Sequence, residues 1–177
     1  MVHRGATVVP PKELISAAAI GRRVAELGRQ IHETLPPGPL TVIGVLRGAF
    51  VFMADLVRVI PREMTCDFLG VRSYGDATIS SGVVEITSDL TAPIAGRHVL
   101  LVEDIADTGL TLRYLRELLT ARGPASVRTC VLLSKPMLQK TPIPIDFLGF
   151  EAPDAFVVGY GLDAAQLYRN LPYIGVL

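Results

Sequence analysis

Residues 99–112 read VLLVEDIADTGLTL, and this stretch limits the fold more tightly than any other part of the chain. Val99, Leu100, Leu101 and Val102 are apolar without alternation, the pattern of a strand covered on both faces. Glu103 and Asp104 follow, then a polar turn with Asp107, Thr108 and Gly109, then a helical run with Leu112, Leu115, Leu118 and Leu119 on one face. A strand buried on both faces needs helices above and below it. The fold class that meets this demand is α/β, a mainly parallel twisted sheet flanked by helices.

The rest of the chain repeats the alternation. Apolar runs at 41–46, 66–71, 97–104, 127–133, 145–150 and 155–160 predict strands, and 83–89 predicts one more. Helical periods at 49–60 and 110–122 lie between them. Nearer the start, LISAAAI (14–20) is long enough for the apolar centre of a signal peptide, but Arg22 and Arg23 stand where small residues should follow. Its apolar period continues through Val24, Leu27, Ile31 and Leu35, which predicts an amphipathic helix capped by Ser16. The polar stretch SYGDATISSG (73–82) reads as a loop long enough to act as a lid. One domain over 1–177 is expected, with a core of about 36–160 and a small hood or flap from about 1–15 and 161–177.

Composition closes off several function classes. Half of the residues are apolar and 19% are charged, which excludes disorder. Seventeen basic side chains balance seventeen acidic ones, so no global basic field recruits nucleic acid. Residues 41–60 are interrupted by Arg47, Asp55 and Arg58, so no membrane span is expected. Cys66 and Cys130, far apart and without a CxxC, read as reduced thiols in a cytoplasmic core. His3, His32 and His98 have no metal-ligand spacing.

In an open α/β sheet, ligands bind beyond the carboxyl ends of the strands, which is where Glu103–Asp104 and the following turn fall. Thr108, Gly109 and Thr111 at a helix start suit a monophosphate, through free N–H groups, the dipole and hydroxyl donors. The GxxxxGK[ST] spacing of a triphosphate loop is absent. Two carboxylates beside a phosphate need something hydroxylic or positive between them, such as ribose hydroxyls or Mg²⁺. The same residues also fit a solvated acidic turn with an ordinary helix cap at Asp107 or Thr108. Local physics leaves both readings open. A second pattern, GYGLDA (159–164), satisfies GxGxx[GA], but the 13 residues after it are too few for a helix and return strand.

The stretch 99–112 resembles the phosphoribosyl-pyrophosphate motif of the type I phosphoribosyltransferases, and is most similar to their hypoxanthine-guanine branch. The resemblance extends through VLRGAFVFMADL (45–56), SYG (73–75), SSGVV (80–84) and DFLGFEAPDAFVVGYGLD with YRNLPYIGVL (146–177), covering nearly the whole chain. It implies transfer of a phosphoribosyl group to hypoxanthine or guanine with release of pyrophosphate, and Mg²⁺ as cofactor. It implies that Glu103 and Asp104 hold the ribose hydroxyls and help position Mg²⁺. Ile105 and Ala106 lead into a phosphate cradle of Asp107, Thr108, Gly109, Leu110 and Thr111, with Asp107 also exchanging a proton with purine N7.

Arg47 and Gly48 match the family's pyrophosphate loop, although lysine is usual at the first position and a second glycine stands where this chain has Ala49. Ser73 and Tyr74 match the mobile loop, Phe156 the aromatic that stacks on the base, and Val157 its neighbour at the base edge. The alternative for Phe156 is a core phenylalanine. Asp163 matches a residue serving a second Mg²⁺ and Arg169 a pyrophosphate contact. The family also places an oxopurine-binding lysine two residues before the aspartate of the DFLGF-like strand, where this chain has Pro144. That departure implies looser base choice unless Lys135 or Lys140 reaches the base. Another base (xanthine, adenine or a pyrimidine) and a phosphoribosyl-pyrophosphate-sensing regulatory protein of the same fold are the alternatives, the latter expected to carry a basic face. The family further implies a homodimer or homotetramer.

Overall fold

The computed structural model describes residues 10–74, 83–138 and 144–177. A six-stranded sheet runs in the order β4-β3-β2-β5-β6-β7. Its strands are β2 (Leu40–Leu46), β3 (Met64–Tyr74), β4 (Val83–Ser88), β5 (His98–Ala106), β6 (Ser126–Ser134) and β7 (Phe147–Glu151). Only β4 is antiparallel to its neighbour. Three helices accompany it, α1 (Ala17–Thr34), α2 (Phe50–Val59) and α3 (Leu110–Thr120).

The strands alternate between two cores. Leu100 and Val102 of β5 join Val42, Phe52 and Leu56 on the α1–α2 face. Val99 and Leu101 join Ile43, Leu112 and Leu115 on the α3 face. Hence the unbroken apolar run: each consecutive residue enters a different core. Burying a Leu or Phe this way is worth roughly 1.5–3 kcal/mol each.

The first helix begins where the sequence suggests. Ser16 Oγ accepts from the Ala19 N–H at 3.2 Å, and Ile20, Val24, Leu27 and Ile31 are buried. Arg23 ties the helix to β7 by donating to the carbonyls of Gly149 and Leu148 at 3.0 and 2.6 Å. Ahead of the cap, however, Lys12–Ile15 is strand β1, so the run 14–20 is divided between two elements. A second correction concerns 155–160, of which only Val157–Val158 is strand (β8), and it does not join the main sheet. It pairs antiparallel with β9 (Ile174–Val176), which also pairs with β1, giving a small three-stranded sheet. The run is apolar because that sheet packs on the α1–α2 core, where Val157 and Ile174 are buried.

Ser73 and Tyr74 close β3 and pair with Val84 and Val83, so the predicted lid is strand at its first two positions. Its remainder, 75–82, lies outside the described residues. No helix among the described residues is long and apolar enough to cross a membrane. The two cysteines are free but unequal: Cys130 is buried in the α1–α2 core, whereas Cys66 is exposed and not a core residue. Pairing with β4 begins only at Gly70, so among the described residues the first half of β3 is unpaired on that side. A thiol reagent is therefore expected to titrate one cysteine in the native protein and two after denaturation. Two fast-reacting thiols under native conditions would contradict this packing.

Candidate active site

Strand β5 runs two residues further than its apolar sequence indicates. Glu103, Asp104, Ile105 and Ala106 all belong to it, leaving only Asp107, Thr108 and Gly109 before α3. Gly109 occupies the N-cap position with φ of 79°, a left-handed conformation that favours glycine, and no side chain caps the helix. The ordinary cap at Asp107 or Thr108 is thereby ruled out. The Thr108 hydroxyl lies 3.5 Å from the Leu110 N–H, at the outer limit of a hydrogen bond. Residues 103–109, Thr111 and Leu112 line a pocket of about 240 Å³. The Leu110 side chain is exposed and does not line it.

The two carboxyls at the pocket floor are costly. Glu103 is buried, and its Oε2 has no hydrogen-bond partner among the described residues. Burial, reinforced by the adjacent Asp104 charge, holds the Glu103 carboxyl well above its ordinary range. Burial also raises Asp104, against hydrogen bonds and the nearby Arg169 charge that favour the ionised form. Burying an ionised carboxylate without a partner is strongly unfavourable, so Glu103, beside the half-buried Asp104, calls for a ligand. Mg²⁺ fits this donor set, since it takes carboxylate oxygens and keeps several waters or substrate oxygens.

Gly48 explains how the turn after β2 approaches the pair. A Cβ there would overlap the Asp104 carboxylate, so only glycine lets the backbone lie against it. The preceding Leu46–Arg47 peptide is cis. Arg47 donates to Gln166 Oε1 at 3.1 Å. Arg169 pairs with Asp163 at 2.6 Å and donates to the Gly161 carbonyl at 2.7 Å. Arg47, Gln166 and Arg169 line a second cleft of about 510 Å³, and Val71 lines both this cleft and the pocket under β5. Asp163 also accepts from the Gln166 N–H at 2.7 Å. Among the described residues, Asp163 does not gather with Glu103 and Asp104 into a three-ligand metal cluster.

Pro144 is not at this site. Its carbonyl accepts from Thr129 Oγ1 at 3.1 Å and from Arg116 at 3.3 Å. Thr129 lies six residues before Lys135 along β6, roughly 20 Å at strand rise. A side chain at 144 is thus remote from the carboxyl ends, and the looser base choice inferred from it is withdrawn. Lys135 is the cation at the site: it is buried, and its Nζ lies 3.2 Å from Asp107 Oδ1. Lys140 falls outside the described residues, as do the side chains of Ser73 and Tyr74. Phe156 is 60% exposed, which disposes of the core alternative, while Val157 beside it is buried. Gln166 was missed by sequence reasoning, since a lone glutamine in a turn carries no signal.

Comparison with known proteins accounts for this arrangement. The family model of the phosphoribosyl transferase domain matches residues 12–165. The chain belongs to the phosphoribosyltransferase family. It is 51% identical over 166 residues to a hypoxanthine-guanine phosphoribosyltransferase of Bacillus subtilis, covering 94% of this chain and 92% of that one. It is 47% identical over 164 residues to a hypoxanthine phosphoribosyltransferase of Escherichia coli, covering 92% of each. Among solved structures, a hypoxanthine-guanine phosphoribosyltransferase of Bacillus anthracis superposes with a TM-score of 0.90 at 41% identity, over 95% of this chain and 99% of that one. A hypoxanthine phosphoribosyltransferase of Staphylococcus aureus gives 0.89 at 42% identity, over 94% and 90%. The α/β fold is thus the type I phosphoribosyltransferase fold.

The buried Glu103 of this phosphoribosyltransferase, next to Asp104, has a thermodynamic signature. A carboxyl whose folded pKa lies above its unfolded value binds more protons when folded, so stability falls as pH rises from the usual carboxylate range toward the raised values. The Glu103→Gln variant is expected to remove much of that loss and to melt higher than wild type at pH 8 without ligand. Thermal melts across pH 5–8 in the absence of Mg²⁺ check this. A lower melting temperature for the variant throughout would contradict the assignment of Glu103 as an uncompensated acid.

Proposed function

We propose that this phosphoribosyltransferase acts in purine salvage, converting hypoxanthine or guanine with phosphoribosyl pyrophosphate into the nucleotide IMP or GMP plus pyrophosphate. The observation that carries this reading is the Lys135–Asp107 pair beside the phosphate-type turn. A 6-oxopurine presents an acceptor (O6) and an N7–H on adjacent edges, matching an ammonium and a carboxylate. The names of the relatives support the same base class.

In this reading the 5′-phosphate rests on the N–H groups and hydroxyls of Thr108, Gly109 and Thr111, with Asp107 and Leu110 completing the turn. Glu103 and Asp104 accept from the ribose 2′ and 3′ hydroxyls, with Ile105 and Ala106 continuing the strand beneath the sugar. Glu103 and Asp104 would hold Mg²⁺, and Asp163 a second ion; the metal would supply positive charge toward the pyrophosphate oxygens. Arg47, Gly48 and Arg169 hold the pyrophosphate, and Arg47 offers a two-pronged contact that lysine lacks. Phe156 covers the base, Val157 meets its edge through the backbone, and Ser73 and Tyr74 belong to the segment that closes over it.

The bond between C1′ and the pyrophosphate oxygen breaks with its electron pair leaving on pyrophosphate. Purine N9 forms the new bond to C1′, and Asp107 takes the N7 proton as positive charge builds on the ring. The transition state is oxocarbenium-like, so the chain contributes mainly positioning and charge stabilisation. As a unit we propose a single domain, with the small β1-β9-β8 sheet as its hood, in the cytoplasm and without nucleic acid. Exposed Phe50, Val59 and Phe68 near the α2–β3 side supply apolar surface for a homodimer or homotetramer.

A spectrophotometric assay with hypoxanthine, guanine, xanthine, adenine and uracil tests the reading, and turnover confined to adenine or uracil would overturn it. Asp107→Asn keeps shape but removes basicity, and turnover is expected to fall about 10²–10⁴-fold with phosphoribosyl-pyrophosphate affinity nearly intact. Turnover within threefold of wild type would remove Asp107 from the proton transfer. Lys135→Gln is expected to raise the KM for hypoxanthine about 10- to 150-fold, the worth of a hydrogen bond to a charged group. Pro144→Lys is expected to change nothing measurable. The opposite ranking would return the base contact to position 144.

A further inference from the structure

Among the described residues, the cleft of about 510 Å³ beside the acidic pair is lined by three arginines, Arg47, Arg72 and Arg169, and by no acidic residue. In a chain with equal numbers of acidic and basic side chains, that concentration is local rather than general. Arg47 and Arg169 are tied down: the first donates to Gln166, the second pairs with Asp163 and donates to the Gly161 carbonyl. Arg72, on β3, differs from both. It is exposed and makes no hydrogen bond or ion pair with any described residue. Its cross-strand neighbour is Glu85, with which it forms no ion pair.

We propose that Arg72 is a pyrophosphate-binding residue, the third cation of the cleft and the one that no described residue holds back from the leaving group. The inference rests on the function proposed above. Three features of the surroundings support it. Val71, the residue before it, lines both this cleft and the pocket under β5, so the two spaces adjoin across a single position. Thr87 and Ser88 of β4 line the cleft opposite, where hydroxyls can complete an oxyanion's contacts. A register shift of the β3–β4 ladder between Gly70 and Val71 falls beside Arg72, and such irregularities re-aim neighbouring side chains.

The chemistry then separates the roles of the arginines. Arg47 and Arg169, held by partners, are preorganised for the bound substrate. Negative charge on the pyrophosphate grows as its bond to C1′ lengthens, and a cation without a competing partner gains most from that growth. Its guanidinium presents a planar fork that matches phosphate oxygens in pairs. Arg72 therefore acts on phosphoribosyl pyrophosphate and on free pyrophosphate, but not on the base.

The test compares wild type with Arg72→Ala and Arg72→Lys. Calorimetric binding of magnesium pyrophosphate and its product inhibition of the forward reaction read the free anion. The KM values for phosphoribosyl pyrophosphate and hypoxanthine read the two substrates. Arg72→Ala is expected to weaken pyrophosphate binding about 5- to 20-fold and to raise the phosphoribosyl-pyrophosphate KM comparably, with hypoxanthine KM within twofold. Arg72→Lys is expected to recover most of the loss, and the salt dependence of pyrophosphate binding is expected to be shallower for the alanine variant. Pyrophosphate affinity within twofold of wild type in Arg72→Ala overturns the inference while leaving the proposed function standing. Equal damage to both substrate KM values also overturns it, since that pattern belongs to a structural role. A wild-type protein that neither binds magnesium pyrophosphate nor turns over oxopurines overturns the inference and the function together.

Discussion

Two adjacent carboxyls at the end of a strand buried on both sides set the terms for everything around them. Glu103 continues β5 in an environment made for valine and leucine, with one oxygen unpartnered among the described residues. A chain selected for stability alone would place an apolar residue there. The surrounding structure accommodates the pair instead. Gly48 brings a backbone turn against Asp104, Arg169 comes near enough to favour its ionised form, and the pocket floor is left open to a hydroxyl-bearing or cationic ligand. The site is therefore least comfortable when empty. That inverts the usual relation between a core and a binding site, because ligand removes a cost that folding has incurred.

The parallel sheet makes this placement possible. Because β2, β5, β6 and β7 run in one direction, their following residues fall along one edge of the sheet. Arg47 and Gly48 follow β2, Asp107 and Thr108 follow β5, and Lys135 follows β6. Residues nearly ninety positions apart in sequence meet with no dedicated scaffold beyond strand direction. The strand β3, next to β2, delivers Arg72 to the same edge, just past the irregularity in its pairing with β4.

Much of this was legible in the sequence, for identifiable reasons. The 99–112 stretch encodes an unbroken apolar run, a pair of acids and a helix start, each with its own local rule, and all three elements appear in order. The Ser16 cap was legible for the same reason. Other features depend on tertiary contact and leave no local trace. Gly48 is one glycine among sixteen until its approach to Asp104 is seen. The run 155–160 has strand composition, but whether it joins the large sheet or the small one is decided by β9, drawn from another part of the chain. Cys66 reads as a core thiol because it lies in an apolar strand, and sequence does not reveal that its half of β3 pairs with β2 but not with β4. Pro144 and Lys135 show the same limit at the site: they stand nine positions apart, and strand geometry sets which one reaches Asp107.

The ion pair between Lys135 and Asp107 has one further consequence. In the proposed reading each group is the other's stand-in when no base is present, and a base that displaces Asp107 must itself answer the buried Lys135. A ring offering an N7–H and a neighbouring oxygen does so. A ring with an amino group in place of that oxygen turns a donor toward the ammonium and leaves Lys135, with little solvent around it, unanswered. Discrimination of this kind comes from the rejected ligand's failure to dissolve an existing contact, and it requires no group on the protein dedicated to exclusion.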